Sequence, residues 1–90
     1  MAKSKLAPYK ITFKKSVTKD LRHIPSQGVK RILQKINSLA DNPRAEGCVK
    51  LSTLELYRVR LGVYRIVYEI RDEELVVQVV KVAHRNKVYG

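Results

Sequence analysis

Arginine is written into strand-like segments of the last third of this 90-residue chain: Tyr57-Arg58-Val59-Arg60-Leu61, Tyr64-Arg65-Ile66-Val67-Tyr68, and His84-Arg85 ahead of Tyr89. In a period-2 strand Arg58 and Arg60 fall on one face, while Tyr57, Val59 and Leu61 fall on the other. If Gly62-Val63 closes a two-residue hairpin, Leu61 meets Tyr64 and Arg60 meets Arg65. Like charges placed directly opposite one another destabilise a sheet by roughly a few tenths of a kcal/mol or more. A bound anion relieves that repulsion, and a planar guanidinium fork holds two phosphate oxygens at once. The chemistry these residues suit is the binding of a phosphate.

The elements that must position them follow from periodicity. Tyr9-Lys10-Ile11-Thr12-Phe13 alternates after Pro8 and suits a first strand with Tyr9, Ile11 and Phe13 buried. Val17, Leu21 and Ile24 then recur at helical spacing until Pro25. Val29, Ile32, Leu33, Ile36, Leu39 and Ala40 make a second helical stripe from about Ser26, stopped by Asp41-Asn42-Pro43. Two helices joined so briefly are expected to form an antiparallel hairpin. Arg44 to Leu54 reads as a loop. Period two returns from Leu56, with strands near 56–61, 64–71 and 74–83 and turns at Gly62-Val63 and Asp72-Glu73.

The fold class expected is therefore α+β: one domain over residues 1–90, a small antiparallel sheet in the order β-α-α-β-β-β, with the helical hairpin packed on one face. Tyr57, Val59, Leu61, Tyr64, Ile66, Tyr68, Ile70, Leu75, Val77 and Val79 form the face to be covered. Arg58, Arg60, Arg65, Val67, Gln78 and Val80 form the open one. Tyr64 and Tyr68 are read as core or core-edge, and Glu69 with Arg71 as a pair on the rim.

Nineteen Lys and Arg against eight Asp and Glu give a formal charge of +11, which favours a polyanionic partner. No apolar run approaches the roughly 18–20 residues that span a bilayer, and no apolar signal segment follows the basic start, so the chain reads as cytoplasmic and not membrane-bound. The lone Cys48 forms no internal disulfide. His23 and His84 lie too far apart for metal-ligand spacing, so no metal or cofactor is expected. Lys14, Lys15, Lys19, Lys30, Lys35 and Lys50 suit either a solvated surface or one that docks on nucleic-acid phosphates.

The element order resembles the RelE family of bacterial and archaeal toxins. So do Tyr57-Arg58-Val59-Arg60, Gly62-Val63-Tyr64-Arg65-Ile66-Val67-Tyr68 and Val82-Ala83-His84-Arg85-Asn86-Lys87-Val88-Tyr89. The resemblance implies a ribosome-dependent endoribonuclease that cleaves messenger RNA in the decoding site, inhibits translation, and is held inactive by a co-encoded antitoxin. A RelB-like antitoxin with a partly acidic docking segment, ribosomal RNA and messenger RNA are the partners it implies. The wider superfamily includes the gyrase-poisoning ParE toxins, so a non-enzymatic inhibitor of DNA gyrase is the alternative.

Carried over by position, the family's paired basic residues fall on Arg58 and Arg60, its phosphate-gripping arginine on Arg65, its second catalytic arginine on Arg85, and its C-terminal tyrosine on Tyr89. The best-known members have lysines at the first two positions, and some continue into a further helix after the tyrosine. A metal-free ribonuclease must deprotonate a ribose 2′-OH, stabilise a phosphorane and protonate the departing 5′-oxygen. A guanidinium stays charged, so Arg58 and Arg60 suit electrostatic stabilisation better than proton transfer. Tyr89 suits proton shuttling or stacking on a base. His84 is an acid or base candidate, because histidine is the residue type that changes charge near neutrality.

Overall fold

The computed structural model describes residues 8–51 and 55–84. Its elements run β1 (Lys10–Phe13), α1 (Lys15–Arg22), α2 (Ser26–Leu39), β2 (Val49–Lys50), β3 (Leu56–Leu61), β4 (Tyr64–Arg71) and β5 (Val76–His84). The strands form a single sheet in the order β1-β5-β4-β3-β2. The α+β class and the three-stranded meander are as the sequence implies, with two differences. β1 lies parallel to β5, pairing Lys10–Phe13 with Val76–Val79, so the sheet is mixed. The segment read as a loop supplies β2, which pairs Val49 and Lys50 with Arg58 and Tyr57. Two residues are too few to register as a period, so this strand exists only through its partner.

Both helices pack against the sheet, α1 chiefly on β5 and α2 on β3. One core cluster results, uniting Val17, Ile32, Ile36 and Leu39 from the helices with Tyr57, Val59, Ile66, Tyr68, Ile70, Val77, Val79 and Val82 from the sheet. Neither helix has a side-chain cap or an acid in its first turn, so apolar packing is what holds them. Tyr68 is fully buried and donates its hydroxyl to the Pro43 carbonyl at 2.7 Å, tying the core to the segment after α2. Burial pushes this phenol well above its ordinary value. Phe13 and Leu33, expected inside, are exposed, because one ends an edge strand and the other sits at the margin of the helical stripe.

The β4–β5 connection corrects the register. The turn spans four residues, Asp72 to Leu75, with Leu75 in the left-handed region at φ 56°. Leu75 is consequently exposed and not on the core face. A bulge follows: Tyr68 pairs with Val79 but Val67 pairs with Lys81, leaving Val80 as the extra residue. Without it, strict alternation from Val77 and Val79 would turn Lys81 into the core. The inserted residue flips the phase, so Val82 enters the core and Lys81 and Ala83 face outward.

The turn end of the sheet at Asp72–Leu75 is clamped by polar contacts. Arg44 donates Nη1 and Nη2 to the two carboxylate oxygens of Asp72 at 3.1 and 2.8 Å, and Tyr9 donates its hydroxyl to the same carboxylate at 2.6 Å. These bonds, Arg44 first and Tyr9 second, hold the Asp72 carboxyl down at about 2. Arg44 also donates Nε to the Tyr57 hydroxyl and lies over that ring at 5.4 Å, and Tyr57 donates on to Glu55. Glu69 and Arg71 form the expected rim pair at 3.3 Å.

Candidate phosphate-binding face

The opposite end of the sheet is built around the Gly62-Val63 turn. Gly62 has φ +60° at the first central position, the pattern of a type II′ hairpin, and glycine adopts it without a Cβ penalty. The turn fixes the register as the sequence implies: Leu61 opposite Tyr64, Arg60 opposite Arg65, Arg58 opposite Val67. Arg58 and Arg65 are therefore diagonal neighbours on the face away from the helices, with Arg60 beside them.

The electrostatics of this face are unusual in one respect. Ion pairs among the described residues involve Arg44, Lys50 and Arg71 with Glu55, Glu69, Asp72 and Glu74, and none reaches Arg58, Arg60 or Arg65. The Nε atoms of Arg58 and Arg65 are buried without a hydrogen-bond partner, while each side chain as a whole stays partly exposed. A buried donor left unpaired costs about 1–3 kcal/mol. Arg58, Arg60 and Arg65 thus share one face with Lys81, and two of these cations carry unsatisfied donors.

This face is less open than its composition implies. Val67 and Ala83 both lie on it, yet they are only 7% and 8% exposed. Val67 stands opposite Arg58 on one side and Lys81 on the other, two residues from Arg65. Long basic side chains lay their aliphatic stems over apolar neighbours while keeping their heads in water. The arginines are consequently seated on an apolar floor.

The other candidates are placed as follows. His84 pairs with Tyr64 across β4 and β5, its ring edge-on to the tyrosine at 5.8 Å. Tyr64 belongs to the helix-covered face, where Gly28 lets α2 approach closely: a Cβ there would sit 3.3 Å from the Tyr64 hydroxyl. A phosphate held by Arg58, Arg60 and Arg65 is across the sheet from the His84 ring, so the geometry does not bring this imidazole to the site. Lys14 lies between β1 and α1, Lys15 and Lys19 lie on α1, and Lys30 and Lys35 lie on α2, the helices packing on the face opposite the arginines. Lys50 is bound to Glu55 at 3.3 Å, which lowers the carboxyl of that residue. Arg85 and Tyr89 lie outside the described residues.

Sequence reasoning missed Asp20. Its Oδ2 accepts the backbone N–H of Val82 at 3.0 Å, joining α1 to the strand that ends at His84. The available signal was an acid in the last turn of a helix, where the macrodipole favours cations. Among the described residues no three His, Cys, Asp or Glu side chains converge as a metal site, and no helix is long and apolar enough to cross a membrane.

Comparison with known proteins gives consistent matches. Residues 11–89 match the sequence profile of the ParE toxin of type II toxin-antitoxin system, parDE. Toxin RelE3 of Methanocaldococcus jannaschii is 33% identical over 92 residues, covering 89% of this chain and 94% of that protein. The fold superposes on the RelBE2 toxin-antitoxin complex of Mycobacterium tuberculosis with a TM-score of 0.79 and 26% identity, covering 92% of this chain and 98% of that one. The archaeal RelE-RelB complex of Pyrococcus horikoshii gives 0.76 at 25% identity, covering 90% and 99%.

Proposed function

The chain belongs to the RelE/ParE superfamily of toxins from type II toxin-antitoxin systems, and on that premise we propose that it is a ribosome-dependent endoribonuclease that cuts messenger RNA in the decoding site. The observation that carries this reading is the face of Arg58, Arg60 and Arg65, with two like charges opposed and no carboxylate to pair them. A protein that only needed to fold would gain by replacing one of them. A scissile phosphate supplies the missing anion, and the phosphorane formed from it carries additional negative charge for the same donors.

In this mechanism Arg65 grips the non-bridging oxygens and Arg58 and Arg60 stabilise the charge that develops. The 2′-oxygen attacks phosphorus as its proton leaves, and the bond to the 5′-oxygen breaks as that oxygen is protonated. Arg85 and Tyr89 are carried over from the family as the second catalytic arginine and the residue that stacks on a base or moves a proton. Loss of one preorganised contact of this kind lowers the rate by ~100-fold to ~1,000-fold. The helix lysines are proposed to hold ribosomal RNA phosphates, leaving the ribosome to present the message.

The partner proposed is a RelB-like antitoxin, since several related toxins, those of Mycobacterium tuberculosis and Pyrococcus horikoshii among them, were solved in complex with an antitoxin. A partly acidic docking segment suits the +11 charge. The matched ParE profile favours a second reading, non-enzymatic inhibition of DNA gyrase, which needs no phosphate-gripping arginines. One experiment separates them: induce the chain and Arg65→Met in cells and map message 5′ ends. Codon-spaced cuts that vanish in the variant support the ribonuclease; intact messages with supercoiling defects support the gyrase reading.

A further inference from the structure

The last strand enters the candidate site with support on one side only. β1 ends at Phe13, opposite Val79, and Lys14 closes it by donating its N–H to the Val79 carbonyl before the chain turns into α1. From Val80 onward β5 keeps β4 as its strand neighbour but has lost β1. The bulge at Val80 interrupts the β4 ladder at the same point. What meets β5 on the vacated side is the Asp20 carboxylate, which accepts the Val82 N–H at 3.0 Å from 62 residues away in sequence.

Asp20 is the sole acid of α1, in a last turn that also carries Lys19 and Arg22. An acid there opposes the helix dipole, so local preference does not explain it. Its bond does: α1 packs chiefly on β5, and the carboxylate sits where the helix can reach the strand edge. Immediately after Val82 come Ala83, which lies opposite Arg65 on the arginine face, and His84, which leads directly into Arg85.

We propose that Asp20 is a positioning residue, whose hydrogen bond to the Val82 N–H fixes the end of β5 in register beside Arg65 and so holds the arginine face in shape for the phosphate. This inference rests on the ribonuclease reading. It is a claim about acceptor position, not charge. Asp20→Asn retains an amide oxygen at the same reach, Asp20→Glu retains the charge but moves the acceptor by a methylene, and Asp20→Ala removes both.

The test combines two readouts on the purified full chain. By amide hydrogen exchange, Val82 is expected to be protected in the parent and in Asp20→Asn, and to exchange at least ~10-fold faster in Asp20→Ala, as an opened bond requires. In single-turnover cleavage of ribosome-bound message, Asp20→Ala is expected to lose ~100-fold in maximal rate, the size of effect that misplacement by about 1 Å produces, with ribosome affinity unchanged. Asp20→Asn should stay within ~10-fold of the parent and Asp20→Glu should fall below it. If Asp20→Ala does not fold, the order of the Asn and Glu variants decides. Unchanged Val82 exchange in Asp20→Ala, or Glu outperforming Asn, overturns the proposal. A parent chain that leaves ribosome-bound message intact overturns the ribonuclease reading instead, and the exchange result still stands as the test of strand fixing.

Discussion

Replacing Arg65 by methionine should make the protein more stable while lowering the proposed cleavage by ~100-fold or more. Methionine keeps the unbranched stem that lies near Val67, but removes the charge facing Arg60 and the buried Nε that has no partner. Two unit charges ~7 Å apart at an effective dielectric of ~50 repel by about 1 kcal/mol. Relief of an unpaired buried donor adds about 1 kcal/mol or more. A net gain of about 1–2 kcal/mol raises Tm by roughly 5–15 °C in a chain of this size. Arg60→Met removes the same repulsion without the Nε term, because among the described residues the buried, unpaired Nε atoms are those of Arg58 and Arg65. The double variant should therefore fall short of additivity by about 0.5–1 kcal/mol, the coupling expected of an opposed pair. Thermal unfolding of the four proteins at about 20 mM and 500 mM salt measures this, and the coupling should shrink at the higher salt as screening shortens. A lower Tm for Arg65→Met, or fully additive gains, would refute the reasoning.

Tyr68→Phe deletes the 2.7 Å bond to a buried carbonyl and should cost about 1–3 kcal/mol in denaturant unfolding, with the fold retained. In Gly28→Ala the new Cβ would meet Ile24 Cγ2 at 2.9 Å and the Tyr64 hydroxyl at 3.3 Å; overpacking should outweigh the ~1 kcal/mol helix gain, for a net loss of about 1 kcal/mol by the same assay. Asp72 is held at about 2, below its ordinary 3.8, so its contribution is fully present above pH 3.8 and is lost as pH falls through about 2. Unfolding followed from pH 5 to pH 2 should show a loss in that window which Asp72→Asn lacks.

The sequence made the register of the candidate site legible where short-range rules decide it. Gly62 fixes a two-residue turn, the turn fixes the register, and the register opposes Arg60 to Arg65. What was illegible depends on partners distant in sequence. β2 is two residues long and is a strand only because Tyr57 and Arg58 lie beside it. The parallel placement of β1 on β5 is a choice between sheet edges, and alternation within Tyr9–Phe13 carries no information about it. The bulge at Val80 left one trace, a lysine at 81 where alternation called for an apolar side chain. His84 shows the consequence: its chemistry singled it out, but the bulge and the Tyr64 pairing set its ring on the far side of the sheet.

The central claim is that these arginines hold a phosphate for cleavage which the ribosome alone presents. It is tested most directly with purified chain, ribosomes stalled on a defined message, and the same message free in solution. The account expects a cut within the decoding site on ribosomes, no cut in free RNA, and loss of ~100-fold or more in rate for Arg65→Met. Equal cutting of free RNA, or undiminished cutting by Arg65→Met, would contradict it.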